Sequence, residues 1–85
     1  ILERAKLSNT TLKNAYLLET NLKDADLQGA DLSDTTLERA YLMGANLQKA
    51  NYDSKTIWTY TYYNEQTVFP LGFDEKIKKQ MNLLQ

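Results

Sequence analysis

The chain has 85 residues, with 10 Lys+Arg and 11 Asp+Glu, and contains neither Cys nor His. A chain of this length forms one small domain that buries only about 60% of its unfolded surface. The net charge of −1 argues against a nucleic-acid binder that works through a basic face. The composition also excludes disulfides, thiolate zinc sites and catalysis by Cys or His.

No segment indicates membrane insertion or secretion. No apolar run approaches the roughly 18 residues that a membrane helix requires, and no charged start followed by an apolar stretch predicts a signal peptide. The chain begins with Ile1 rather than Met, which is typical of a fragment or a processed form. Ile1 stands one position before a core leucine, so we expect either further coils before it in the intact protein or an open end that pairs with another chain.

A five-residue repeat occupies residues 1–54. Leucine recurs at every fifth position, and from the second leucine onward Ala or Thr stands two positions before it. The leucines are Leu2, Leu7, Leu12, Leu17, Leu22, Leu27, Leu32, Leu37, Leu42 and Leu47, and Tyr52 takes the next place. Ten consecutive matches exclude coincidence and predict a solenoid.

A five-residue period matches neither an α-helix nor a continuous β-strand. On an α-helix the leucines would spiral around the axis, and on a flat strand half of them would face water. A chain that turns after each short extended edge places the small residue and the leucine inward together, because they are two positions apart. Four such edges close a square coil of about 20 residues, and successive coils stack at roughly 4.8 Å.

Charged residues 20 positions apart support four edges in each coil. A lag of 20 gives only opposite-sign pairs, whereas a lag of 15 gives two like-sign pairs; a lag of 25 also gives no like-sign pair. Within residues 1–54 the pairs at lag 20 are Glu3 with Lys23, Arg4 with Asp24, Lys6 with Asp26, and Glu19 with Arg39. Exposed pairs contribute little stability, so they indicate register only.

Short polar side chains stand immediately before several leucines and point outward in this arrangement. We expect them to hydrogen-bond nearby backbone N–H groups at the turns. They are Asn21, Asp26, Asp31, Asn46 and Asn51.

The triplets at residues 25–27, 30–32 and 45–47 are Ala-Asp-Leu, Ala-Asp-Leu and Ala-Asn-Leu. They resemble the A-(D/N)-L-x-x consensus of the pentapeptide-repeat family, and the resemblance covers residues 1–54. It implies an all-β solenoid, a right-handed quadrilateral β-helix, here of under three coils. Residues 67–74 resemble the T-x-F-P-x-G-F-(D/N) tail of cyanobacterial members, which leaves both the cytoplasm and the thylakoid lumen open as compartments.

The repeat is expected to end after Ser54. If Ile57 took the next leucine position, Lys55 would point inward, where an unpaired charge is costly. The chain therefore divides into a β-helix over 1–54 and a C-terminal capping segment over 55–85. Residues 52–58 and 63–69 echo each other at an offset of eleven, and we interpret the doubled segment as an insertion.

The capping segment contains three predicted features. Residues 58–63 have the aromatic alternation of a strand or hairpin beside the last coil, and residues 70–72 form a turn. Asp74 is a good N-cap for a short α-helix, in which Ile77, Met81 and Leu84 form one apolar stripe. This helix covers the last coil; a partner-binding, dimerising or membrane-surface helix is the alternative.

No residue qualifies as catalytic, cofactor-binding or metal-ligating. Residues 24–29 begin like a calcium loop, but Gln28 replaces the third acid and Thr35 stands where the bidentate Glu belongs. The paired carboxylates lie on a convex, solvated surface rather than in a cleft. No enzyme activity and no cofactor are expected.

Large side chains at outward positions point to a surface function. They are Tyr16, Leu18, Tyr41, Met43 and Trp58. Either the tail covers them or they form an interface, where aromatic residues are enriched.

The sequence thus predicts a non-enzymatic module that presents a rigid β-helix surface to a protein partner or to itself, including a homodimer through an open coil end. It predicts no direct contact with nucleic acid and no membrane insertion. The family resemblance supplies an alternative, a DNA mimic that inhibits or protects DNA gyrase. Residues 1–54 carry eight acidic and six basic residues, a net −2, which is weak for mimicry.

Overall fold

A computed structural model describes residues 2–84, which wind into a four-sided parallel β-helix. Parallel bridges join residues 20 apart, the spacing of four five-residue edges. The bridged pairs at this spacing are Lys6 with Asp26, Thr11 with Asp31, Tyr16 with Thr36, Asn21 with Tyr41, Asp26 with Asn46, and Asp31 with Asn51. The longer elements are β1 (Tyr62–Tyr63), α1 (Glu75–Lys78) and β2 (Asn82–Leu83), and β1 pairs in parallel with β2.

The leucines point into the coil, as predicted. The fully buried leucines are Leu22, Leu27, Leu32, Leu37, Leu42 and Leu47. The four leucines before them, from Leu2 to Leu17, are half-buried and pack against this core. Small inward residues such as Ala30 and Thr35 are also fully buried, so the interior is narrow and filled by one leucine from each edge.

Each five-residue edge ends in the same tight turn. The residue two after the leucine has a positive φ, and the next N–H donates to the leucine carbonyl, as between Ala25 and Leu22 at 3.0 Å. A positive φ at the third residue defines a type II turn. At Asp24 the φ is 59°, and its N–H donates to the Met43 carbonyl of the next coil at 2.9 Å. The neighbouring coil therefore holds a conformation that non-glycine residues rarely adopt.

The outward Asn and Asp side chains accept hydrogen bonds at the turns, and four of the five predictions are confirmed. Asn21, Asp26, Asp31 and Asn46 each accept the N–H two residues ahead, at 3.0–3.1 Å. The corresponding N–H after Asn51 belongs to Asp53, and it donates instead to the Thr56 hydroxyl.

The charged residues 20 positions apart lie on neighbouring coils, as predicted, but they do not form ion pairs. Within residues 2–84, the salt bridges are Arg39 with Glu38 at 3.2 Å and Lys78 with Glu75 at 3.5 Å. Lys6 and Asp26 are bridged through their backbones, yet their side chains do not meet, in keeping with the low value of exposed pairs.

The ladder of parallel bridges continues past Ser54, where the repeat was expected to end. The later bridges join Thr36 with Ile57, Tyr41 with Tyr62, and Asn46 with Val68, at spacings of 21, 21 and 22. Trp58 rather than Ile57 takes the leucine position and is 3% exposed, while Lys55 faces solvent. One extra residue in the turn shifts the register, so no charge is buried. The division into 1–54 and 55–85 stays a prediction.

Two six-residue edges absorb the extra residues, and each begins with Asp or Asn. The Asp53 Oδ1 atom accepts the N–H of Lys55 and also that of Asp34 in the coil below, both at 3.0 Å. The Asn64 Oδ1 atom accepts the N–H of Gln66 and that of Gly44, both at 3.1 Å. In five-residue turns the equivalent N–H of the coil below donates to a backbone carbonyl, as Asp24 does to Met43. In the six-residue edges the side-chain oxygen of Asp53 or Asn64 accepts that N–H in place of the carbonyl.

A buried threonine closes each six-residue edge. The Thr56 hydroxyl accepts the Asp53 N–H at 3.1 Å and donates to the Leu32 carbonyl at 2.8 Å. Thr67 makes the equivalent bonds to Asn64 and to the Leu42 carbonyl. The echo between residues 52–58 and 63–69 is therefore the signature of this edge.

Aromatic rings replace leucine in the last winding. Tyr52, Trp58, Tyr63 and Phe69 follow the leucine series at intervals of six, five and six residues. Phe73 packs on Tyr52 and Trp58 at 5.1 Å between ring centroids, and on Phe69 at 4.6 Å. The larger rings therefore fill the end of the interior.

The tail has its predicted turn, N-cap and short helix, but the helix is shorter than its predicted apolar stripe. The Phe73 N–H donates to the Pro70 carbonyl, Gly72 has a φ of 77°, and Asp74 accepts the Lys76 N–H at 2.8 Å. The helix ends at Lys78. The stripe of Ile77, Met81 and Leu84 is thus not helical throughout, because residues 80–84 join the ladder beside residues 60–63. Residues 58–63 likewise continue the ladder instead of forming a hairpin.

Candidate interaction surface

The acidic side chains serve the turns rather than a chemical site. The N–H of Asp34 holds the pKa of Asp53 below its usual value, against an opposing effect of burial. The side chain and N–H of Ser33 likewise lower the pKa of Asp31. Both carboxylates are therefore ionised hydrogen-bond acceptors near neutral pH, not proton donors.

Residues 2–84 contain no cluster of three or more acidic side chains placed to hold a metal ion. Within the same residues, every helix is too short or too polar to span a membrane. The Asp26 carboxylate, which falls in the calcium-like segment, accepts the Gln28 N–H within its own turn.

Exposed aromatic and aliphatic side chains cover two adjoining sides of the coil. On one side Tyr16, Thr36 and Ile57 lie in one column, and on the next side Tyr41 is bridged to Tyr62. Tyr60 lies in the turn between these sides. We define the aromatic face as Tyr16, Tyr41, Ile57 and Tyr60, whose exposed fractions are 74%, 38%, 42% and 49%.

Contacts within the ladder hold parts of this face rigid. The rings of Tyr41 and Tyr62 stack with centroids 4.9 Å apart and planes 8° apart. The Arg39 guanidinium lies 5.4 Å from the centre of the Tyr60 ring, and its Nη1 atom lies 3.2 Å from Glu38 Oε2. A cation over an aromatic ring is attractive, so the orientation of Tyr60 is restricted before any partner binds.

The structure places the predicted outward residues in three classes. Tyr16 and Tyr41 lie at outward positions as predicted, and the tail leaves them exposed, whereas Leu18 and Met43 are half-buried. The outward placement of Trp58 is wrong, because the extra residue before it turns its indole into the core. For the same reason the sequence analysis missed Ile57 and Tyr60, whose positions depend on recognising the six-residue edge.

A second apolar spot lies away from the aromatic face. Leu71 is fully exposed at the tip of the turn after Pro70. Beside it lies a groove of about 400 Å³ lined by Gln48, Lys49, Val68, Phe69 and Leu71.

Comparisons with known proteins agree with this geometry. A model of pentapeptide repeats matches residues 1–39 and 20–51 in eight copies. Among solved structures, the chain is similar to the pentapeptide repeat protein Rfr23 from the cyanobacterium Cyanothece 51142, with 38% identity and a TM-score of 0.72. That match covers 75% of this chain and 43% of the other, so the chain spans less than half of that relative.

A second solved structure is similar over most of both chains. This is alr5209, a pentapeptide repeat protein from Nostoc Pcc 7120, with 28% identity and a TM-score of 0.65. The match covers 96% of this chain and 83% of the other. No curated protein matches the chain.

Proposed function

The chain belongs to the pentapeptide repeat family, whose fold is a right-handed quadrilateral β-helix, and from that premise we propose that it is a non-enzymatic protein-interaction module. The aromatic face carries the proposal. Four large side chains on two adjoining sides of the coil are between 38% and 74% exposed.

The chemistry of this face suits a protein partner. Tyrosine is enriched among the residues that dominate binding at interfaces. The Tyr41–Tyr62 stack and the Arg39 contact with Tyr60 order the rings in the free chain, which reduces the entropy lost on association. The net charge of −1 favours a neutral protein surface over nucleic acid.

The bridges from Lys6 through Asp26 and Asn46 to Val68 span three windings, which is more than the sequence predicted. The proposal includes a covered end, with the C-terminal segment lying over the last winding. Phe73 and Met81 are 7% and 8% exposed, and they pack against the core cluster. The short helix α1 lies between them in the chain. This segment thus supports the upper part of the aromatic face.

A non-enzymatic role is supported by the state of the polar groups. Asp31 and Asp53 are occupied by backbone N–H groups, and the sequence has no Cys or His for nucleophilic or general-base catalysis.

A second copy of the chain is the other partner that we include. Self-association would use the first coil, in which Leu7, Leu12 and Leu17 are half-buried. Light scattering of the purified chain over a range of concentrations separates this self-association from binding to another protein.

Partner capture with a matched pair of variants tests the proposal. The triple variant Tyr16→Ser, Ile57→Thr, Tyr60→Ser removes apolar area from the aromatic face without touching the core. Leu71→Ser removes a fully exposed apolar side chain elsewhere. Proteins captured from the source organism by the parent chain and by Leu71→Ser, but lost with the triple variant, would support the proposal. Capture that is equal for all three chains would refute it.

DNA mimicry has less support, because it needs a long acidic surface and residues 1–54 carry a net charge of only −2. A gyrase supercoiling assay tests it directly. Absence of inhibition and protection at high excess of the chain would exclude this alternative.

A further inference from the structure

We propose that Tyr41 and Tyr62 form an oxidative cross-linking site, at which a one-electron oxidant joins the two rings as dityrosine within one chain. The two residues are bridged partners on successive coils. Their rings are nearly parallel, with centroids 4.9 Å apart, so the ladder holds two phenols side by side.

The reaction needs only the oxidant and these two side chains. Each phenol loses one electron and its hydroxyl proton, which gives two tyrosyl radicals. The radicals couple through one ring carbon next to each phenolic oxygen, and the hydrogens on those carbons then return to the oxygens as the rings regain aromaticity. The balance is two tyrosines giving one dityrosine, two protons and two electrons, with the electrons passing to the oxidant.

The surroundings select this pair among the six tyrosines of the sequence. Tyr52 packs against Trp58 and Phe73, and Tyr63 packs against Phe69. Tyr60 lies beside Arg39. Tyr41 is 38% exposed, so an oxidant in solution can reach the stack.

Tyr16 can form dityrosine with another chain, which competes with the coupling of Tyr41 and Tyr62. It is 74% exposed and its ring stacks on no other aromatic ring among residues 2–84. Oxidation of Tyr16 therefore favours coupling between two chains, which rises with protein concentration. Coupling of Tyr41 with Tyr62 is intramolecular and does not depend on concentration.

The cross-link would join the leucine-filled coil to the winding that contains the first six-residue edge. A covalent link across the folded chain restricts the unfolded chain and raises stability when it does not strain the fold. Oxidation would thus lock the aromatic face in its folded form.

The test uses the full chain at low concentration with photoactivated tris(bipyridyl)ruthenium and persulfate as the one-electron oxidant. We expect a monomer that has lost two hydrogen atoms, shows dityrosine fluorescence and yields a cross-linked peptide containing Tyr41 and Tyr62. Tyr41→Phe and Tyr62→Phe keep the stacked rings but cannot form this product, so the monomer fluorescence should be lost in both. Tyr16→Phe should retain it.

Circular dichroism of the phenylalanine variants shows whether they fold, and oxidation in concentrated urea shows whether the ladder is needed. The yield in urea should fall several-fold. The proposal is overturned if folded Tyr41→Phe keeps the monomer signal, if the parent chain forms only cross-linked dimers, or if urea leaves the yield unchanged.

Discussion

At the residue scale, burial depends on where a leucine lies along the coil axis. Leu27 is fully buried with neighbours on both sides along the axis, because its edge is bridged in both directions. Leu7 occupies the same column in the first described coil and is half-buried. A leucine side chain therefore contributes different amounts to the stability of the fold at two equivalent positions of the repeat.

Leu27→Ala should lower the free energy of unfolding by about 3 kcal/mol, because it removes buried methyl groups and leaves a cavity. Leu7→Ala should cost clearly less, since part of that side chain already contacts water. Urea denaturation of both variants measures the difference. Equal losses would contradict the dependence of leucine burial on position along the coil axis.

Leu27→Lys should not fold, because the interior offers the lysine charge no partner.

Asp53 should make stability depend on pH. Its pKa is lowered in the folded chain, chiefly by the Asp34 N–H, so the carboxylate stabilises the fold above its unfolded pKa of about 3.9. This contribution should be lost as the pH falls through the lower folded value. Thermal melts between pH 7 and pH 2 compare the parent chain with Asp53→Asn and Asp53→Ala.

Asn64 shows that an amide oxygen can fill the same role, which makes Asp53→Asn the matched control. It should stay close to the parent at neutral pH while showing less loss in acid. Asp53→Ala should melt lower at every pH. An acid profile of Asp53→Asn identical to that of the parent would rule out Asp53 as the source.

At the scale of the element, the six-residue edge is the unit that lets the ladder continue. Its Asp or Asn replaces a carbonyl for the coil below, and its threonine binds both its own turn and a buried leucine carbonyl. In five-residue edges the hydroxyls of Thr35 and Thr61 also donate to leucine carbonyls, at 2.8 Å and 2.7 Å, whereas the Thr10 hydroxyl reaches the Ser8 carbonyl at 3.4 Å. Thr56 differs from these threonines because its hydroxyl also accepts the N–H of Asp53 at the start of its own turn.

Thr56→Val keeps the shape of the side chain but leaves the Asp53 N–H and the Leu32 carbonyl without this partner. The free energy of unfolding should fall by about 1–3 kcal/mol, the cost of unsatisfied buried groups. Thr10→Val is the control and should change it by less than about 0.5 kcal/mol. If chemical denaturation gave the two variants the same stability, the hydroxyl would have no special role.

At the scale of the whole molecule, the tail and the last winding stabilise each other. Phe73 packs on three rings of that winding, and the segment after α1 forms backbone bonds to residues 60, 61 and 63. Removing the tail would expose apolar rings and free the upper edge of the ladder.

Deleting residues 74–85 should lower solubility and shift the fluorescence of Trp58, the sole tryptophan, to longer wavelength as water reaches it. Light scattering and emission spectra measure these changes, and Leu83→Ser serves as a control at an exposed position. A truncated chain that stays monomeric and as stable as the parent would disprove the covering role.

The sequence by itself determined the winding, because whether residues two apart face inward together is a local property of an extended edge. It also determined the turn at residues 70–72, the N-cap Asp74, and the outward placement of Tyr16 and Tyr41. The tertiary structure decided the register after Ser54, the burial of Trp58 and the short length of α1. These depend on hydrogen bonds to another coil, as from Asp34 to Asp53 and from Tyr60 to Gln80, and such partners become adjacent only once the coils have stacked.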